Sequence, residues 1–307
     1  MSVLVVGSLN EDVLVTVDRL PGRGETVIGS AVTVAPGGKG ANQAAAAGRL
    51  GGGVALIGRV GDDPAGDRQR AALADAGVHV GLVRSTPGEL TGTATIPVEA
   101  EGGENLIVVV PGANAALLPV DVDVAELRQA TVVLLQLETP LETVLAAAGA
   151  AAGIVVLNPA PPQPLPADLL ALVDVLVPNE HELLRLTGAD PGERGPAELV
   201  ELARGLGAGS VVVTLGARGA LVVPVEGDAF LQAPPSVQAV DTTGAGDCFC
   251  GALAQALARE EPLAGAVRYA VAAAAASTTG AGARGALPDH AAVTALLPSV
   301  PPAVPVT

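Results

Sequence analysis

The chain has 307 residues, half of them apolar but only 1% aromatic, and carries a formal charge of −16. That length suits a single α/β domain over residues 1–307 with a core of Ala, Val and Leu. The charge excludes a nucleic-acid or anionic-membrane surface, two cysteines cannot build a disulfide framework, and no apolar run reaches the length of a membrane span.

Taken in chain order, MSVLVVGSLNEDV has no basic n-region and enters a strand pattern at Val3–Val6, so it does not read as a signal peptide and a cytoplasmic location is expected. Val13–Val17 with Ala31–Val34 follow as shorter, hairpin-like strands. Val54–Val60 is a second buried run. Thr91–Val98 and Leu106–Val110 form another hairpin-like pair across the Gly- and Glu-rich segment Glu99–Asn105. Thr131–Leu137, Ile154–Leu157, Val173–Val177 and Ser210–Leu215 complete the β-branched runs expected of parallel strands. Alanine- and leucine-rich helical segments separate them. One carries the stripe Leu141, Val144, Leu145 and Ala148, opened by Thr139-Pro140-Leu141-Glu142, a predicted capping box with proline at the first helical position. The Pro-rich tail Pro298–Thr307 is expected to fray. This alternation predicts a doubly wound, mostly parallel α/β sheet flanked by helices. A small antiparallel β-lid is expected from strands within about residues 11–36 and 90–110.

Ligands of such sheets bind beyond the carboxyl ends of the strands. Asn10 and Asp12, Asp62, Glu138, Asn158, Asn179 and Thr214 stand there, and three of the six asparagines in the chain are among them. The strongest chemical signal is Asp241-Thr242-Thr243-Gly244-Ala245-Gly246-Asp247, which leads into the helical stripe Ala245, Cys248, Phe249, Ala252, Leu253 and Ala256. A Gly-rich turn that becomes a helix N-terminus is an anion site. Asp247 in the first turn reads equally as a base beside a phosphate or as a dipole-balancing acid. Lys39, set among glycines at Gly37-Gly38-Lys39-Gly40, is the only lysine beside fifteen arginines. Cys248 and Cys250 read as small core residues.

Other patterns fail. Gly280-Ala281-Gly282-Ala283-Arg284-Gly285 spells a dinucleotide fingerprint but follows a helical stretch instead of a strand. Gly38-Lys39 lacks the Ser or Thr of a P-loop, His79, His181 and His290 lack zinc spacing, and Asp62-Asp63 reads as a loop cap.

The Asp241–Asp247 stretch resembles the second signature of the PfkB (ribokinase) family of sugar kinases, and Gly37-Gly38-Lys39-Gly40-Ala41-Asn42-Gln43 the first. Gly7–Asp12, Pro111–Leu117, Leu135–Pro140, Leu157–Pro161 and Pro178–Glu180 are similar to ribokinase segments in the same order, so the resemblance covers nearly the whole chain. It implies a ribokinase-like fold and transfer of phosphate from ATP to the 5-hydroxyl of D-ribose, with another acceptor (deoxyribose, a ketose or adenosine) as the first alternative and a catalytically silent sugar sensor on the same fold as the second. Asn10, Glu11, Asp12, Gly38, Lys39, Gly40, Ala41, Asn42 and Glu138 would hold the sugar. Asp247 would be the base, with Gly244, Ala245 and Gly246 as the anion hole. Asn179, Thr214, Leu215, Gly216, Ala217, Arg218, Gly219, Gly246, Asp247 and Val271 would line ATP. Glu182 would reach Mg²⁺ through water. A monovalent cation, K⁺, would be held by Asp241, Thr243, Ser277, Gly280, Gly282 and Ala286; here Ala286 stands where a serine is usual, and Arg284-Gly285 replace the usual neighbours. The family further implies a homodimer through the lid, with a sugar and ATP as the small-molecule partners.

Overall fold

The computed structural model describes residues 2–306. Its main sheet runs, edge to edge, Val304–Pro305, Phe230–Gln232, Ala220–Val223, Ser210–Thr214, Val175–Leu176, Ile154–Leu157, Val132–Leu135, Val3–Val6, Val54–Gly61 and Val78–His79, with Val83–Thr86 also paired to Val54–Gly61. From Ser210–Thr214 to Val78–His79 every pairing is parallel, and the strands beyond Ser210–Thr214 are antiparallel.

Alternation within single strands sends side chains into two cores. Val3 and Val5 enter one apolar cluster while Leu4 and Val6 enter the other, all fully buried. The first cluster is closed by helices Lys39–Arg49, Ala245–Ala258 and Leu263–Ser277. The second is closed by Leu141–Ala150, Glu180–Thr187 and Pro196–Arg204. With almost no aromatics, small residues do the packing. Gly251 lets helix Ala245–Ala258 approach Lys39–Arg49 so closely that a Cβ there would stand 2.5 Å from the Gln43 carbonyl oxygen. This contact sets the spacing of the two helix N-termini that form the site.

A second sheet stands apart, in the order Gly29–Gly37, Asn10–Val17, Gly92–Glu99, Val108–Val110. Both outer pairs are antiparallel, while the central pair, Asn10–Val17 with Gly92–Glu99, runs parallel. No hairpin can join a parallel pair, which is why Val54–Gly61 and helix Pro64–Asp75 intervene.

Two local expectations are overturned. The helix after Thr139 begins at Leu141, with extended Pro140 as its cap and no side-chain cap bond, and the buried Thr139 hydroxyl has no partner. Proline is thus placed before the first helical residue instead of on it, and the capping box does not form. The Pro-rich tail does not fray along its whole length, because Val304–Pro305 adds an edge strand to Phe230–Gln232. An edge tolerates proline because its missing N–H faces away from the ladder. Asp63 does cap its loop, accepting from Gly66 N at 2.8 Å.

Candidate functional site

Two helix N-termini face each other at the carboxyl ends of the parallel strands, and they differ in what fills them. At Lys39–Arg49 the protein satisfies its own amides. Lys39 N donates to Glu138 Oε2 at 3.0 Å, Gly40 N to Ser8 Oγ at 3.2 Å and Ala41 N to Ser8 O at 2.9 Å. Glu138, which also accepts from Ser8 Oγ at 2.5 Å, is therefore a carboxylate cap as well as a wall of the site. Gly40 and Ala41, expected to meet the sugar, are buried with their amides engaged and have nothing left to offer it.

At Ala245–Ala258 the situation is reversed. Gly244 precedes the helix in a left-handed conformation (φ 76°) with no side-chain cap. Ala245 N turns back to Thr242 O at 3.2 Å, so that member of the expected anion hole is engaged, while the amides of Gly246 and Asp247 have no partner among the described residues. Unpaired amides at a helix N-terminus are where an anion binds. A Cβ at Gly246 would meet nothing within 4 Å. The protein itself leaves room for a side chain there, and a ligand backed closely against the chain accounts for the glycine.

Between these ends stands Asp247. Its Oδ2 accepts from Asn42 Nδ2 and its Oδ1 from Gln43 Nε2, each at 3.0 Å. Gln43 in turn donates to Asn158 Oδ1 at 3.0 Å and accepts from Gln136 Nε2 at 2.6 Å. Both carboxylate oxygens are thus aimed by amides fixed on a different helix.

The second sheet supplies the outer wall. Asn10 and Asp12 lie on one face of strand Asn10–Val17, and Asn10 Oδ1 is held by Asn114 Nδ2 at 2.8 Å. Glu11, expected beside them, projects from the opposite face of the same strand and is ion-paired to Arg68, so it does not join the site. Burial raises the Asp12 carboxyl to about 6, with Glu138 and Asp247 adding to the rise and Arg284 and Lys39 opposing it. Burial works against the Lys39 ammonium, yet Asp247, Glu138 and Glu182 together outweigh it and hold its pKa above the ordinary lysine value.

Lys39, Asn158, Asn179, Glu182, Thr214, Gly244, Gly246 and Asp247 line one cleft of about 150 Å³. Asn179 and Glu182 form a reciprocal cap, Glu182 N donating to Asn179 Oδ1 at 2.7 Å and Asn179 N to Glu182 Oε2 at 2.8 Å. Glu182 is buried, its pKa raised by desolvation, and one of its oxygens is uncommitted by that cap. Beyond Thr214 and the buried Leu215, Gly216, Ala217 and Arg218 form an exposed turn closed by Gly219, and Arg218 is paired with Glu180. Val271, expected to meet adenine, is only 3% exposed inside helix Leu263–Ser277 and belongs to the apolar core.

The expected cation loops are stitched together. Asp241 accepts from Thr243 N at 2.8 Å and Gly282 N at 2.7 Å, and Thr278 O accepts from Val240 N at 2.7 Å. Burial would raise the Asp241 carboxyl, but the hydrogen bonds from Thr243 and Gly282 outweigh it and hold it below the usual range. The Ser277 hydroxyl is bound to Ala274 O at 2.8 Å, leaving its carbonyl as the available ligand. Gly280 and Ala286 approach so closely that a Cβ on Gly280 would stand 2.7 Å from that of Ala286. Cys248 and Cys250 are free and buried, the first pushed up to about 12 by burial.

Gln43, Asn114 and Arg284 are among the polar residues at the site that were given no role from the sequence. Gln43 had a readable signal, an amide next to Asn42 at the head of the alanine run of helix Lys39–Arg49. Asn114 and Arg284 act on partners 104 and 242 residues away, which no local pattern reports.

A carboxylate held beside unpaired helix amides, with a polar pocket on one side and an open turn on the other, is the arrangement that phosphoryl transfer to a hydroxyl needs. Residues 1–290 match the family described as pfkB family carbohydrate kinase. The chain is 40% identical to ribokinase of Haemophilus influenzae over 292 residues, covering 93% of this chain and 95% of that protein. It is 36% identical to deoxyribokinase of Salmonella typhimurium over 300 residues, covering 94% and 96%. It also superposes on the structure of Arabidopsis thaliana ribokinase complexed with ribose and ATP with a TM-score of 0.88, at 37% identity and covering 96% of this chain and 98% of that one. The two facing helix ends and these likenesses lead to one assignment: the chain belongs to the pfkB family of carbohydrate kinases and is a sugar kinase.

Proposed function

We propose that the enzyme transfers the γ-phosphate of ATP to the 5-hydroxyl of D-ribose, giving ribose 5-phosphate and ADP. The observation that carries this reading is the Asp247 carboxylate, both oxygens fixed by Asn42 and Gln43, beside the unpaired amides of Gly246 and Asp247. Asn10, Asp12, Lys39, Asn42 and Glu138 offer a wall of acceptors and donors suited to a ring of hydroxyls. Asp247 takes the proton from the 5-hydroxyl as that oxygen attacks the γ-phosphorus. The bond from that phosphorus to the β–γ bridging oxygen breaks, ADP leaves, and the free amides hold the charge on the transferring group. The Thr214–Gly219 segment receives the nucleotide at the other end of the cleft.

Glu182, buried at the cleft wall with one oxygen uncommitted, suits Mg²⁺ held through water, which supplies charge neutralisation on the phosphates. A monovalent cation would take the Asp241 carboxylate and carbonyls of the stitched loops, a donor set of hard oxygens that does not depend on a side chain at Ala286. We also propose a homodimer through the second sheet, which exposes an apolar face including Val32 (66%), Val34 (51%) and Val108 (61%). Light scattering should return about twice the chain mass, and a monomer at micromolar concentration would end that proposal.

The substrate is tested by coupled ADP release with D-ribose, deoxyribose, fructose and adenosine, with and without K⁺. D-ribose should give the highest kcat/KM and K⁺ should raise it. A higher value with deoxyribose, fructose or adenosine would contradict the ribose reading, and indifference to K⁺ would contradict the cation site.

A further inference from the structure

The loop after helix Leu263–Ser277 sends the Arg284 side chain to the sugar side of the cleft. Arg284 Nε donates to Asn42 Oδ1 at 2.8 Å, and Nη2 donates to Gly37 O at 3.1 Å and Gln69 Oε1 at 3.4 Å. Nη1 is shielded from solvent and has no hydrogen-bond partner. Asn42 is the same residue whose Nδ2 binds Asp247 Oδ2 at 3.0 Å. With its oxygen on a guanidinium, the Asn42 amide has one workable orientation; flipping it would set C=O against the Asp247 carboxylate and NH₂ against Arg284.

The local charge balance points the same way. Asp12, Glu138 and Asp247 face Lys39 and Arg284, so the acids outnumber the cations. A sugar acid or sugar phosphate would meet net repulsion here, and a neutral polyol would not.

Resting on the reading that a sugar lies between Asp12 and Asp247, we propose that Arg284 is a positioning and specificity residue of the sugar subsite. It locks the Asn42 amide onto Asp247 and donates its remaining N–H to an oxygen of a neutral pentose. A buried guanidinium N–H left without an acceptor is unfavourable, and the sugar supplies the acceptor. The guanidinium lies near the Asp12 and Asp247 carboxylates and, like arginine generally, is cationic at neutral pH. Asp12 titrates near 6, with Arg284 and Lys39 lowering that value and Glu138 and Asp247 raising it. Ionised Asp12 accepts from hydroxyls through both oxygens with charge assistance, and protonation turns one of them into a donor, so sugar affinity weakens as pH falls through that value. Removing Arg284 takes away the largest lowering influence and moves the loss to higher pH.

The test is steady-state kinetics of the full chain from about pH 5 to about pH 8.5 for Arg284→Gln, Arg284→Met and Arg284→Lys, with melting temperatures alongside. Arg284→Gln and Arg284→Met should raise the ribose KM about tenfold, leave the ATP KM within about twofold, and shift the acid limb of kcat/KM for ribose upward. Arg284→Lys should return the acid limb toward wild type while the ribose KM stays high, because an ammonium cannot hold Asn42 and Gly37 as the planar fork does. An unmoved acid limb with unchanged ribose KM overturns the proposal, as does an equal rise in both KM values that tracks the melting temperature. If the neutral variants do not fold, Arg284→Lys decides alone, a ribose KM equal to wild type counting against. Wild-type enzyme that releases no ADP with ribose removes the underlying reading, whereas active wild type with unaltered variants refutes the role of Arg284 only.

Discussion

Replacing Asp247 with asparagine lowers kcat by about 10²–10⁴ if the carboxylate is the base that activates the sugar hydroxyl. The side-chain shape is kept, but the amide has no lone pair basic enough to take the proton. Asn42 Nδ2 and Gln43 Nε2 both donate to Asp247, so the introduced NH₂ also faces one donor it cannot accept from. Asp247→Ala removes that conflict while still lacking a base, and it should lose kcat to a similar degree. Calorimetry separates the roles: ribose and ATP should still bind to both variants, because their other contacts remain. If Asp247 were only a dipole-balancing acid, both variants would lose some stability and keep kcat within a few-fold.

The second large effect is expected at the turn beside it, where two glycines serve different ends. Gly244 has φ 76°, and a Cβ there would lie 2.7 Å from Ala283 Cα. Gly244→Ala should therefore strain the fold by about 1–3 kcal/mol and lower kcat by about 10²–10³ as the amides swing off the phosphate. Gly246 is helical and faces open cleft, and a methyl group placed on its Cα would have no atom within 4 Å. Gly246→Ala should leave the melting temperature unchanged or slightly raised while raising the ATP KM and lowering kcat, because the added methyl enters the space of the phosphates. Urea unfolding and kinetics on the same two variants distinguish these outcomes. Full activity in Gly246→Ala would show that no phosphate approaches that backbone.

The main sheet was legible because buried parallel strands read as unbroken β-branched runs, and Val3–Val6, Ile154–Leu157 and Ser210–Thr214 lie where those runs predicted. The Gly244–Asp247 turn was legible as the start of a helix, because its glycines precede an apolar helical stripe and Gly244 does take a left-handed conformation there. What escaped was set by distance along the chain or by the pleat. Glu11 was grouped with Asn10 and Asp12 through the family resemblance, yet a strand turns neighbours to opposite faces and gives Glu11 to Arg68. Gly40 and Ala41 were drawn in by their motif, but Ser8 and Glu138 had already capped that helix from distant segments. Arg284 appeared in the sequence only as a departure from pattern, and its contact with Asn42 exists only once the loop folds back over 242 residues.

The position of one hydroxyl decides the mechanism. A crystal structure with D-ribose and a non-hydrolysable ATP analogue should place the 5-hydroxyl within hydrogen-bond reach of an Asp247 oxygen and the terminal phosphate against the amides of Gly246 and Asp247. A bound sugar whose 5-hydroxyl points away from Asp247, with the phosphate elsewhere in the cleft, would contradict it.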